Sequence, residues 1–180
     1  MADYGMAACE NLLRLAKTGD ARAFEALLRS HETQVARTAL RLLGNRQDAQ
    51  DAAQEVFLRL HRNLRKIDDA GNLSGWLYRV TVNACHDILR KRKATASLDE
   101  ARFPVASSSE ADLGREEQRK LIVDALAALP EKERAAITLR DLEGLSTREV
   151  AAILGSSEAT VRSQISAARL KIRKIVGRRS

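Results

Sequence analysis

The chain has 180 residues, 44% apolar and 31% charged, with nine glycines, two prolines and a formal net charge of +7. That balance excludes collagen-like, low-complexity and wholly disordered chains, and apolar runs of at most five residues, such as Val150 to Leu154, are too short for membrane insertion. Aromatics at 3% beside abundant Leu, Ala and Arg favour helices over a β-sandwich.

Met1 to Gly19 lacks the apolar stretch of a signal peptide, so a cytoplasmic protein is expected. A first short helix is predicted over about Glu10 to Lys17, ended by Gly19. A second follows Asp20 as N-cap and runs towards Leu43, where Gly44-Asn45 stops it. A third runs from about Asp48 to Lys66, and a fourth from Ser74 as N-cap to about Arg92. Residues 93–117 hold three basic and six acidic residues, Pro104, the run Ser107-Ser108-Ser109 and Gly114, with no sustained apolar period. They read as a flexible acidic linker. Beyond it, helices are predicted near Arg115 to Leu129 and from Pro130, in a first turn, to Leu142. Ser146-Thr147-Arg148-Glu149 is a capping box, Gly155 closes its helix, and Ser157 caps another from Glu158 to about Val176. No strand-like alternation competes. The expected fold is all-α: two small helical domains, 1–92 and 118–180, joined by the flexible linker 93–117, the C-terminal one a helix-turn-helix.

Cys9 and Cys85 cannot staple a secreted scaffold or build a zinc site alone, and read as small buried apolar residues. His31, His61 and His86 share no metal-ligand spacing, so neither a metal nor another cofactor is expected. Charge is unevenly placed. Residues 118–180 carry 13 basic and 7 acidic residues, and seven Lys and Arg follow Glu158. A basic helical end suits a polyanion such as nucleic acid, although a solvated basic tail reads equally well from charge alone.

Three helical faces carry more information. From Asp48 to Lys66, Ala49, Ala52, Ala53, Val56, Phe57, Leu60 and Leu64 form the core stripe, while Asp51, Gln54, Glu55, Leu58, Arg62 and Arg65 lie opposite. Leu58 is then either an ordinary exposed leucine or the apolar centre of a helix contact. From Trp76 to Arg92 the core stripe is Leu77, Val80, Thr81, Ala84, Cys85 and Ile88. The other side aligns Trp76, Arg79, Asn83, His86 and Arg90. Cations for phosphates, an amide for a base edge and an aromatic ring for stacking suit single-stranded or distorted DNA. The plainer readings are a Trp76 packed at the helix start and a His86 serving as a polar surface residue. In the last helix Val161, Ile165, Ala168, Ile172 and Val176 face inward. Ala159, Ser163, Ser166 and Ala167 face outward with Arg162 and Gln164 on the shoulders, a surface able to approach a major groove, and Lys171, Arg173 and Lys174 further along suit phosphates. A helical hairpin with no DNA role is the minority alternative.

Three runs carry a family resemblance. DAQDAAQEVFLRLHRNL resembles the polymerase-binding helix of bacterial sigma factors. NLSGWLYRVTVNACHDILRKRK looks like their promoter-melting segment, and LPEKERAAITLRDLEGLSTREVAAILGSSEATVRSQISAARLKIRK is similar to their promoter-reading domain. Their order and spacing match the two-domain extracytoplasmic-function (ECF) group. The resemblance implies region 2 over 1–92 and region 4 over 118–180. Asp51, Gln54, Glu55, Leu58 and Arg62 would then dock on the clamp coiled coil of the polymerase largest subunit. Asn83 and Arg79, with the loop Asn72 to Gly75 (Ser74 included), Trp76, His86 and Arg90, would contact the single-stranded minus-ten element. Thr160, Arg162, Ser163, Gln164, Ser166, Arg169, Lys171, Arg173 and Lys174 would lie along the double-stranded minus-thirty-five element. This chain departs from the family in carrying Gln164, Ser166 and Ala167 where further basic residues are common. The family often has an anti-sigma partner. The implied function is a dissociable subunit that directs core RNA polymerase to promoters and helps open them.

Two other classes remain to be set against it. A stand-alone regulator would bind operators through 118–180 as a dimer, but residues 1–92 offer no evident apolar pocket for an effector. An enzyme is not expected, because the sequence holds no phosphate-binding glycine loop, metal-ligand cluster or nucleophile motif.

Overall fold

The computed structural model describes residues 2–68, 70–96 and 121–177. All regular structure among these is helical. The first helix, α1, spans Ala2–Lys17 and begins well before the predicted Glu10. Helix α2 spans Ala21–Leu43. Asp20 caps it as expected, its carboxylate accepting from the amides of Arg22 and Ala23, and Gly44 ends it at φ 74°. Helix α3 spans Arg46–Asn63, capped by Asn45 through the Asp48 amide, and a 3-10 turn, Leu64–Lys66, follows. Helix α4 runs over Ala70–Ala96. Its start corrects the sequence reading: Ser74 is not an N-cap, and the expected loop Asn72 to Gly75 is helical.

In the second unit, 121–127 is helical (α5); residues 93–96, expected to begin the linker 93–117, instead continue α4, while the rest of that linker and the predicted helix from Arg115 to Lys120 fall outside the described residues. Helix α6 is Glu131–Ile137, with Pro130 as N-cap. It widens into a π-turn over Thr138–Leu142, which ends where the Glu143 amide bonds Thr138 and Gly144 turns at φ 78°. Helix α7, Thr147–Leu154, opens with the predicted capping box and closes at Gly155, φ 60°. Helix α8, Glu158–Val176, is capped by Ser157.

Helices α1 to α4 pack around Leu27, Val35, Leu43, Val56, Leu60, Leu73 and Leu77, all essentially without solvent contact. The core does not stop there. Ala135, Ala136 and Leu139, then Val150, Val161 and Ile165, continue the same apolar cluster, so the helix-turn-helix lies against the first domain. A smaller cluster of Leu126, Leu129, Ile137 and Ala168 holds α5, α6 and α8 together. Cys85 is buried as expected, whereas Cys9 is only half-buried, with its Sγ 3.7 Å from His31 Nε2. Burial pushes the Cys85 thiol up to about 12, which keeps it a neutral packing group.

Candidate nucleic-acid interface

Three surfaces follow from these helices. On α3, Ala49, Ala52, Val56 and Leu60 turn inward, and Asp51, Gln54 and Arg62 stand exposed on the other side. Leu58 joins them with 52% of its surface in water. Glu55 is half-buried and pairs with Arg59 at 2.7 Å, which also reaches Asp87 of α4 at 3.5 Å. Leu58 is thus an exposed leucine surrounded by polar side chains on the face opposite the core stripe.

The α4 stripe divides. Asn83 and Arg90 are exposed, Arg90 held at 2.8 Å by Asp87. At the N-terminal end the stripe faces the second unit across a cleft, with Arg79 exposed and Ser74, Gly75 and Trp76 half-buried. Ser74, Gly75, Trp76 and Arg79 line a cleft whose opposite wall is Leu145, Glu149, Ala152 and Ile153 of the helix-turn-helix. Trp76 is half-buried against the core, Ser74 Oγ accepts from Gln34 Nε2, and Arg79 Nη2 donates to the Ala152 carbonyl at 2.8 Å. Asn72 is helical in backbone, and its side chain lies outside the described residues. His86 is half-buried, and desolvation holds its pKa below the ordinary value against the opposing pull of Glu131 and Asp87. It is a neutral, packed ring rather than an open phosphate contact.

On α8, Val161, Ile165 and Ala168 are buried, and Thr160, Arg162, Ser163, Ser166, Arg169, Lys171, Arg173 and Lys174 are exposed. Thr160 Oγ1 lies 2.9 Å from Ser157 Oγ within the cap. The basic residues differ in their ties. Arg169 is held by Asp141 through two 2.8 Å bonds, and Lys171 by both oxygens of Glu133. Arg162 has only an exposed partner one turn back, Glu158, at 2.8 Å. Among the described residues Arg173 and Lys174 carry no ion pair. Gln164 is turned partly inward, its Oε1 out of water and without a partner.

Sequence reasoning missed the contacts between the two units. Glu143, on the π-turn, buries its side chain completely. It accepts from Arg37 Nε and Nη2, from Arg41 Nη1 at 2.5 Å and from Tyr78 Oη at 3.2 Å. Burial and the Glu143 carboxylate push the Tyr78 phenol up to about 12, so it stays a donor. Arg134, 5% exposed, donates to the carbonyls of Leu42, Ala127 and Leu129, and burial lowers its pKa. Partners 65 to 106 residues apart leave no periodic trace in a sequence.

Comparison with known proteins agrees with this architecture. Residues 27–95 match the family model described as Sigma-70 region 2, and residues 119–172 match Sigma-70, region 4. The chain is 36% identical over 168 residues to the ECF RNA polymerase sigma factor SigM of Mycobacterium tuberculosis, covering 92% of this chain and 83% of that protein. The chain belongs to the ECF sigma factors. It is also 33% identical over 170 residues to the ECF RNA polymerase sigma-E factor of Escherichia coli, with 88% of each chain covered. Among solved structures it resembles CnrH in complex with the cytosolic domain of CnrY, at a TM-score of 0.74 and 26% identity over 96% of this chain and 99% of that one. RpoE of Bartonella quintana, in complex with the anti-sigma factor NepR, shares the fold at a TM-score of 0.74 and 23% identity, over 87% and 98% of the two chains. Like other ECF sigma factors, the chain directs RNA polymerase to promoters and acts in transcription initiation, as a regulator of a catalyst. No helix among the described residues is long and apolar enough to cross a membrane.

Proposed function

We propose that this ECF sigma factor divides its work among three helical faces, within a cytoplasmic protein that has no catalytic step of its own. Leu58, ringed by Asp51, Gln54, Glu55 and Arg62 on α3, docks on core polymerase. Asn83, Arg79 and Arg90 on α4, with the start of that helix around Trp76, take the single-stranded minus-ten element. The α8 face around Thr160, Arg162, Ser163 and Ser166 meets the double-stranded minus-thirty-five element, while Arg173 and Lys174 meet its phosphates. Residues 1–92 and 118–180 are the corresponding functional units. CnrH, which this chain resembles, is solved with the cytosolic domain of CnrY, and that likeness supports a protein partner for this chain as well, of which an anti-sigma factor is the kind proposed.

The observation that carries the reading is Leu58, half in water at the centre of an otherwise polar face, on the same four-helix unit as the exposed Asn83. Melting is then driven by binding. Unstacking a base costs a few kcal/mol, and a site that accepts the extruded base offsets it. Asn83→Ala is expected to leave polymerase binding intact and to slow open-complex formation, more on fully duplex promoters than on ones with a pre-opened bubble. Equal loss on both templates, measured by permanganate footprinting, would assign Asn83 to folding or docking instead.

A further inference from the structure

We infer that Glu133 and Asp141 are positioning residues for duplex binding: they hold Lys171 and Arg169 off the phosphates and so limit how tightly α8 grips DNA of any sequence. The inference rests on the assignment of α8 to the double-stranded element made above. It starts from the geometry of two ion pairs. Asp141, on the π-turn, accepts from Arg169 Nε and Nη2 at 2.8 Å each. Glu133, on α6, takes Lys171 Nζ with both oxygens, at 2.6 and 2.8 Å. The first is a fork-to-fork pair, which fixes the plane of the guanidinium as well as its charge.

The acids are the anchored partners. The side chains of Asp141 and Glu133 are 24% and 16% exposed, against 56% and 45% for Arg169 and Lys171. The elements that carry the acids pack on α8 through Leu126, Leu129, Ile137 and Ala168, with Leu142 and Ile172 against that cluster. The carboxylates therefore stay in place when a cation swings outward. A cation that leaves for a phosphate exchanges one anion for another, and leaves a partly covered carboxylate unpaired beside the duplex.

What remains sits at the two ends of α8. Arg169 and Lys171 are two residues apart and leave the helix about 200° from each other, so that one pair lies on each flank of the buried stripe. Between the flanks the outward residues Ser163, Ser166, Ala167 and Leu170 carry no charge. Of the five cations of α8, those not held by an acid of another element are Arg162 in the first turns and Arg173 and Lys174 in the last. Arg162 and Arg173 are about 16 Å apart along the axis, at about 1.5 Å per residue. Affinity for DNA of any sequence grows with each phosphate neutralised, and cancelling two cations takes two contacts out of that sum. A helix that grips every sequence less is released sooner from the excess of wrong sites.

The test uses preassembled holoenzyme and two duplexes, a promoter and the same fragment with its minus-thirty-five element scrambled, kept in the cold so that the strands stay paired. Asp141→Asn and Glu133→Gln are each expected to tighten binding about threefold on both duplexes and to steepen the salt slope by about one unit. Removing an acid also changes the field around the helix, and a double-mutant cycle separates the two effects. In an Arg169→Gln background Asp141→Asn is expected to bring no gain, and Glu133→Gln none in a Lys171→Gln background. A gain that persists without the cation overturns the inference, and so does the absence of any gain in variants of unchanged helicity. Weaker binding by the acid variants overturns it too, for then the acids aim the cations at phosphates. Exposed ion pairs add little to stability, and if the variants of one pair unfold the other pair decides. Lys174→Ala separates such a failure from a failure of the α8 assignment: it weakens binding to both duplexes if α8 grips DNA, and changes neither if it does not.

Discussion

At the scale of single residues, the cations of α8 separate by what already holds them. Asp141 and Glu133 fix Arg169 and Lys171 against the rest of the helix-turn-helix, so these two brace the domain. Arg162 is in the first turns of the helix, and its exposed pair with Glu158 is worth well under 1 kcal/mol, so it is easily exchanged for a base edge. Its planar fork also suits guanine. Arg162→Ala should cost about 1–3 kcal/mol on a preferred site and flatten discrimination at one or two base positions. Lys174→Ala should weaken binding to all sequences alike and lower the salt slope by about one unit. Holoenzyme affinities on a set of single-base promoter variants check both. An equal loss on every variant for Arg162→Ala would make it a phosphate clamp and leave base reading to Ser163 or Thr160.

At the scale of elements, boundaries were legible wherever a side chain satisfies the first amides or a glycine turns left-handed. Asp20, Ser146 and Ser157 cap as their sequences imply, and Gly44 and Gly155 stop their helices. The start of α4 was not legible because local propensity and burial disagree there. Gly71, Asn72, Ser74 and Gly75 are weak helix formers, yet Leu73 and Leu77, one turn apart, are both fully buried, and their packing carries the helix through a stretch that reads as a turn. The α7 capping box makes a prediction of its own. Hydrogen bonds from the Ser146 hydroxyl and amide side hold the Glu149 carboxyl below its ordinary 4.5, so its stabilising charge is fully present above that pH and fades as pH falls through the lower folded value. Glu149→Gln should therefore cost most near pH 7 and progressively less below about pH 4, where the two proteins converge. Ser146→Ala should cost about 1 kcal/mol near neutrality. Urea midpoints between pH 3.5 and 7 measure both, and a Glu149→Gln penalty that is flat with pH would show that the charge contributes nothing.

At the scale of the whole molecule, the sequence conveyed two units and the faces of their helices but not that the units touch. The core stripe read for α4 omits Tyr78, Val82 and Leu89, which are buried as well. A period finds one covered side of a helix, and α4 is covered on two, since α7 packs on it as well as the first-domain bundle. Arg134 shows the same limit: by composition it belongs to a basic domain's surface, but it is buried, serving three main-chain carbonyls. Arg134→Met keeps the bulk and strips those carbonyls of their donors, so a loss of about 3 kcal/mol or more is expected in the urea unfolding free energy. A loss below about 1 kcal/mol would mean water replaces the guanidinium.

The proposed assignment of α3 as the polymerase-docking helix underlies the roles proposed for α4 and α8, which would be exercised in the holoenzyme. Leu58→Asp tests it in reconstituted transcription with core polymerase on a genomic promoter library, with start sites mapped. The account predicts that the variant folds with a stability within about 0.5 kcal/mol of wild type, as an exposed position should, and yet yields none of the specific starts that the wild type directs. A folded Leu58→Asp protein that directs the same starts at the same level would contradict it, and so would a variant that unfolds, for then Leu58 supports the core rather than the contact.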